Sequence, residues 1–412
     1  MTGSTVPLAE TPAQESIAPV PALYRLLGNL VVALTLVGYP LVAATSQILG
    51  FATSELNIGY RFLAILLSAV LAAWSIFRGR YRLDPLVVTF LAIYTLRMLF
   101  DLNYSMLPDI EDDFTFFVAV VLIPILSMGG ARDWFDEETC LRITLVVGSV
   151  ASLMIGFLLV TGAVGANPAA GEDTRATLEF LNPISIGYHG LFTAMAAVVL
   201  FARYRRTAQI IPIAVAISLG GYLLVASGSR GPFVALLIGL IITGSANRRA
   251  NATYVFAGLI AAGATAYFGL PEGVINRFRD IGSDLSALER VYAIQLSIDA
   301  ALEHPLFGYA YIEPVTGLYP HNLLIEAALA LGIGGFALML WMQVALIWNA
   351  WRHALRKEWA LPFLGAAMFA NAWISGSIWG SAPFFMILWL LRETPLASQE
   401  MPRPALELSR RS

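Results

Sequence analysis

Cysteine is almost absent: Cys140 stands alone in 412 residues, which excludes an intrachain disulfide, a cysteine-based zinc site and an iron–sulfur cluster. Charge is scarce too. Only 13% of residues are Asp, Glu, Lys or Arg, against roughly 25% in a soluble domain. The net charge of -3 offers none of the basic field on which nucleic-acid binders rely. A water-soluble fold and a nucleic-acid partner are thereby excluded. Met1 to Tyr24 hold neither Lys nor Arg, so the basic start of a cleavable signal peptide is missing, and 1–24 reads as a disordered tail. There is no internal repeat, and no matched pair of Gly- or Pro-broken helices of the kind transporters use.

What is abundant is apolar surface: 58% of residues are hydrophobic and the mean hydropathy is +0.71. Stretches of roughly 17–25 apolar residues can each span a bilayer. They predict an all-α polytopic membrane protein of about twelve transmembrane helices, near 25–50, 57–77, 85–101, 114–129, 141–163, 183–203, 208–227, 231–245, 252–270, 321–350, 359–374 and 377–391. Helices 1 to 9 thus occupy 25–270 and helices 10 to 12 occupy 321–391, with a long loop over 271–320 between them and a second tail over 392–412.

Basic residues then fall on alternate loops, as the positive-inside rule requires. Arg25, Arg78, Arg80, Arg82, Arg132, Arg142, Arg203, Arg205, Arg206, Arg248, Arg249, Arg352, Arg356, Lys357, Arg392, Arg403, Arg410 and Arg411 share one side, 18 of the 25 Lys and Arg residues. That side is expected to be cytoplasmic, with both termini on it. The opposite loops carry Asp109, Glu111, Asp112, Asp113, Glu172 and Asp173. Within 271–320, the S-x-x-E capping box Ser286–Glu289 leads into Leu288, Val291, Gln295, Ile298 and Leu302 at helical spacing. This pattern predicts a helix lying on the membrane surface and ending before His304-Pro305.

Seven basic residues stay on the acidic side: Arg61, Arg97, Arg175, Arg230, Arg277, Arg279 and Arg290. All are arginine, whose fork matches phosphate bidentately. Arg230, in the turn Ala226-Ser-Gly-Ser-Arg-Gly-Pro232, adds its charge to a helix N-terminus, with Pro232 expected at the first helical position; a snorkelling anchor is the competing account. Arg290 competes with a solvated pair to Glu289, Arg175 with neutralisation by Glu172 and Asp173, and Arg61 and Arg97 read as interface anchors. Of four histidines, His189 suits a helix-to-helix hydrogen bond. His321 differs, since Tyr319-Pro-His-Asn322 places it at the mouth of a helix, where a neutral imidazole can take a proton from a hydroxyl. For Glu326, one turn after Asn322, three roles stay open: bonding Asn322, orienting His321, or facing lipid protonated. Asp109-Ile-Glu111 has a spacing that can hold a divalent metal on a diphosphate; a solvated loop of Asp109 to Asp113 that enforces topology is the simpler account.

Ser229-Arg-Gly231, Arg290 ahead of His-Pro-Leu-Phe-Gly308, and His321-Asn-Leu-Leu-Ile-Glu326 followed by Leu331-Gly-Ile-Gly334 together resemble the O-antigen ligase family of bacterial inner-membrane glycosyltransferases. O-antigen polymerases and protein O-oligosaccharyltransferases are similar in the same region. The resemblance covers the C-terminal half, and the N-terminal half by helix layout only. It implies transfer of a glycan from undecaprenyl diphosphate to lipid A–core in the periplasm. By that implication His321 is the catalytic base, Arg230, Arg290 and Arg175 bind the diphosphate, and Asn322 helps bind substrate. Arginines can do a metal's work on a diphosphate, so neither metal nor cofactor is expected. A twelve-helix secondary transporter is the alternative from another class, disfavoured because the ionisable residues sit at the outer mouth and not at midplane.

Overall fold

The computed structural model describes residues 21–50, 53–104, 107, 110–161, 181–204, 210–246, 258 and 285–393. Arg175, Arg277, Arg279, Asp109, nearly all of the helix expected at 252–270 and nearly all of both tails lie outside them. The described chain is helical: α1 (Ala22–Leu49), α2 (Thr53–Phe77), α3 (Pro85–Tyr104), α4 (Ile110–Trp134), α5 (Glu137–Val160), α6 (Pro183–Tyr204), α7 (Ile210–Ala226), α8 (Arg230–Ala246), α9 (Leu285–Glu303), α10 (Leu323–Leu355), α11 (Ala360–Ile374) and α12 (Ala382–Glu393). Among the described residues seven helices, α1 to α6 and α10, are long and apolar enough to cross a membrane. With four shorter apolar helices beside them, the chain is a multi-pass membrane protein. α12 lies at the centre, with Phe384 to Leu391 buried without interruption, as expected of a helix that is apolar all round.

Several boundaries differ from the sequence expectation, each for a local reason. α4 starts at Ile110, so Glu111, Asp112 and Asp113 form its first turn and are not a loop; acidic side chains there complement the positive end of the helix dipole. α4 also contains a π-helical turn at Phe117–Leu122, a distortion often found at functional sites. α5 starts at Glu137 because Asp136 caps it, accepting from the Thr139 N–H at 2.8 Å. α8 begins at Arg230, which makes Pro232 its third residue and not its first. The first turn has no internal acceptors for its N–H groups, so a proline is tolerated anywhere within it. Finally, 375–381 is not part of the last helix: it is an irregular link holding one short turn, Ile378–Gly380. Its Ser and Gly residues give the backbone alternatives to helix.

α9 occupies the expected surface-helix segment and stops just before His304-Pro305. Its apolar positions Leu288, Val291, Ile298 and Leu302 are exposed, while Ala293 and Ser297 face the protein. An apolar stripe turned outward, on a helix that packs on α10, fits a helix bedded in the interface.

α10 is broken at Gly332 (φ 66°, ψ -153°), in a region of backbone space open essentially to glycine alone. Into the break docks 305–309. The Ile333 N–H donates to the Pro305 carbonyl at 2.8 Å, and the Tyr309 N–H to the Leu329 carbonyl at 2.6 Å. A Cβ on Gly332 would lie 2.5 Å from the Pro305 oxygen, and one on Gly308 (φ 72°) would lie 2.4 Å from the Ala330 carbonyl carbon. The Pro-Leu-Phe-Gly and Leu-Gly-Ile-Gly segments are therefore two halves of one backbone joint. Gly332→Ala should cost about 1–3 kcal/mol from backbone strain alone, and the contact with Pro305 adds to it. A thermal melt of the purified variant is expected to show a lower midpoint; an unchanged midpoint would mean the joint is not needed.

Candidate active site

The site is built around the link 375–381 and the N-terminus of α10. Asn322 caps α10, its Oδ1 accepting from the N–H groups of Leu324 (2.9 Å) and Ile325 (3.2 Å), while its Nδ2 donates to the Trp373 carbonyl at 3.2 Å. Four residues on, Glu326 is fully buried; its carboxylate accepts from the Ile378 N–H at 3.0 Å and from the Tyr94 hydroxyl at 3.0 Å. One helical turn of α10 thus holds the end of α11 at Trp373 and the middle of the link at Ile378.

His321, the residue before the Asn322 cap, has φ 53°, a left-handed conformation that is rare for a residue with a side chain and clusters at functional sites. Its ring lies 4.2 Å from that of Tyr319, which meets Trp379 edge-on at 6.0 Å. Nδ1 of His321 is buried without a hydrogen-bond partner. Burial, and then the Arg290 guanidinium, push the imidazole pKa down to about 4, against a hydrogen bond that the ring donates to the Ser375 backbone. The ring is therefore neutral at ordinary pH, the form able to accept a proton.

Arg290, on α9, reaches the Ile374 carbonyl at 3.4 Å. Arg230 begins α8, and the next residue, Gly231, backs onto the same link: a Cβ there would lie 3.0 Å from Ser375 Oγ and 3.7 Å from the Tyr188 hydroxyl. Arg290, His321 and Asn322 thus converge on 373–378, and Arg230 is brought beside it by its neighbour Gly231.

Beside this link opens a cavity of about 340 Å³ walled by α1, α2, α4, α6, α11 and the start of α12. Five buried polar atoms on residues that line it have no hydrogen-bond partner: Asn57 Oδ1, Arg61 Nε, Tyr188 Oη, Ser375 Oγ and Trp379 Nε1. Buried polar atoms are normally satisfied, so five without a protein partner on a single cavity leave it open to water or a polar ligand. Arg61, expected to be a mere anchor, lies with its guanidinium 4.8 Å from the Phe116 ring centroid. None of Asn57, Arg61, Tyr188, Ser375 or Trp379 was singled out as a ligand from sequence, because no local pattern marks them. Arg97 is held in an ion pair to Asp101 at 2.8 Å and bonds the Tyr309 carbonyl, consistent with an anchoring role. His189 makes the helix-to-helix contacts expected of it, 3.1 Å from both Ser152 Oγ and the Gly148 carbonyl. Asp113 accepts from the Tyr311 hydroxyl at 2.9 Å, and among the described residues no three His, Cys, Asp or Glu side chains are grouped as metal ligands.

The model of a known family, described as O-antigen ligase, matches residues 213–340. That stretch holds Arg230, Arg290, His321, Glu326 and the Gly308–Gly332 joint, so the family resemblance is borne out where its motifs lie, and it implies a glycosyltransferase-like enzyme. No curated protein and no solved structure matches the chain.

Proposed function

We propose, from the O-antigen ligase match over 213–340 and the site around 373–378, that the chain transfers a glycan from undecaprenyl diphosphate to a hydroxyl of the lipid A–core oligosaccharide. The observation that carries this reading is the pairing of a neutral, strained His321 with Arg290 at one link, onto which the start of α8 after Arg230 backs through Gly231, beside a cavity rich in unsatisfied polar atoms. His321 takes the acceptor proton as the oxygen attacks the anomeric carbon. Arg230 and Arg290, with Arg175, bind the diphosphate and stabilise the charge it gains on leaving. Attack opposite the leaving group inverts the anomeric carbon. Asn322, with both ends of its amide engaged, acts as the cap that sets His321.

In this reading the site faces the periplasm from the inner membrane, twelve helices place both termini in the cytoplasm, and 271–320 is the periplasmic loop. The arginines serve where a metal otherwise would, so no metal takes part. The test is transfer by purified protein with lipid-linked donor and lipid A–core. Arg290→Gln and Arg230→Gln are each expected to reduce kcat/KM by about ten- to a hundredfold, the loss of a charged hydrogen bond worth about 1.5–3 kcal/mol. Wild-type transfer should survive EDTA. Loss with EDTA and recovery with magnesium would overturn the metal-free mechanism. Extension of lipid-linked glycan, with lipid A–core left bare, would assign the polymerase reaction instead.

A further inference from the structure

A second cavity, of about 280 Å³, lies at the opposite end of the bundle. It is lined by Gly79, Arg80, Arg82, Met128, Gly129, Arg132, Asp133 and Trp389. α2 links the two: Arg61 and Gly79 are 18 residues apart in sequence, roughly 27 Å at 1.5 Å per helical residue, close to the thickness of the hydrocarbon core. The lining carries three arginines, Arg80, Arg82 and Arg132, and one carboxylate, Asp133, which accepts from Arg80 at 3.2 Å.

The walls are fixed in advance. The Arg82 N–H donates to the Gly129 carbonyl at 2.8 Å, and the Tyr81 hydroxyl to the Leu126 carbonyl at 2.9 Å. A Cβ on Gly129 would lie 2.4 Å from the Tyr81 ring, so the α2–α3 link and the end of α4 are in direct contact. Trp389 is fully buried at the base. Next to the lining residues Gly79 and Arg82 in sequence, Ile76, Phe77 and Leu83 are exposed, Phe77 to 87%, which gives the cavity an apolar lip.

We infer that this cavity binds the phosphate of an anionic phospholipid headgroup. A rigid concavity with excess arginine suits a phosphate, basic pockets between helices at this depth recognise lipid headgroups, and the apolar lip would meet the acyl chains, which a free phosphate would leave bare. The positive-inside distribution makes this the cytoplasmic leaflet. The site is separate from the transfer chemistry and does not depend on it.

The test uses full-length protein in detergent, titrated with phosphatidylglycerol, with phosphatidylcholine and with inorganic phosphate, read by native mass spectrometry and by the thermal midpoint. Phosphatidylglycerol is expected to bind and to raise the midpoint where phosphatidylcholine does not, and Arg82→Ala/Arg132→Ala should weaken that binding about tenfold or more. Arg352→Ala/Arg356→Ala removes the same charge elsewhere on that side and should leave it unchanged. If the Arg82/Arg132 variant folds poorly, Arg132→Gln alone should still reduce lipid retention. Equal losses in both double variants, or no preference for phosphatidylglycerol, would overturn the site. A shift with inorganic phosphate as large as that with lipid would overturn the lipid assignment.

Discussion

His321→Ala should cut glycan transfer by about 10²- to 10⁴-fold, the usual contribution of a general base, or about 3–5 kcal/mol of barrier. Donor binding should be retained, because Arg290 reaches the Ile374 carbonyl and the cap on α10 comes from Asn322, neither through the imidazole. The wild-type pH profile gives a second, independent reading. A pKa pushed down to about 4, by burial first and Arg290 second, keeps the base neutral through mildly acidic pH. The acid limb of kcat/KM, which reports the free enzyme, should therefore fall near pH 4 and not near the ordinary 6.5. In kcat the limb should move up, since a bound diphosphate favours the imidazolium. Arg290→Gln removes a cation beside the ring and should raise the limb in kcat/KM as well. Wild-type rates in a folded His321→Ala protein would remove the base. A limb near 6.5 that Arg290→Gln does not move would show that the ring is not set in this environment.

Much of this architecture is legible in the sequence, and the reason is the lipid. Bilayer thickness and leaflet charge act on short stretches of chain, so hydropathy and arginine placement locate α1 to α8 and α10 to α12 to within a few residues, apart from the ends noted above. The surface helix is legible for a similar reason, since its apolar stripe is local, although it begins at Leu285, ahead of the Ser286 expected to cap it. The link 375–381 is not. Its residues 377–381 read as the start of the last span, and what keeps them out of a helix, besides their own Ser and Gly, is a set of partners distant in the chain: Ile378 meets Glu326 52 residues away, and Glu326 meets Tyr94 232 residues away. Arg61 illustrates the same limit. An arginine just inside an apolar helix has the pattern of an anchor, and only the neighbours brought by α4, α6 and α12 make it part of a polar cavity. Gly308 and Gly332 could be quoted as motif residues, but that they touch through their backbones follows from the break in α10.

The side-chain partners of Glu326 are the Ile378 N–H and the Tyr94 hydroxyl, and not Asn322 or His321, so any hold it has on His321 passes through the link, and this leads to a second large expected effect. Glu326→Ala leaves two buried donors, the Ile378 N–H and the Tyr94 hydroxyl, without an acceptor, at about 1–3 kcal/mol each. The link would detach from α10 at one anchor, and with it Ser375, whose backbone bonds His321. The variant should melt earlier and lose most of its kcat with a smaller change in KM, because the diphosphate ligands on α8 and α9 are carried by other elements. Glu326→Gln keeps a carbonyl oxygen for the Ile378 N–H and should recover most of both losses. The acid limb of kcat/KM separates positioning from mere stability. If Glu326 sets the burial of His321 through the link, the limb moves up in Glu326→Ala and returns in Glu326→Gln, whereas a purely structural contact would lower the yield of active protein and leave the limb where it was. A Glu326→Gln variant as inactive as Glu326→Ala would defeat the positioning role, because it would show that the carboxylate itself, and not its hydrogen bonds to the link, is what transfer requires.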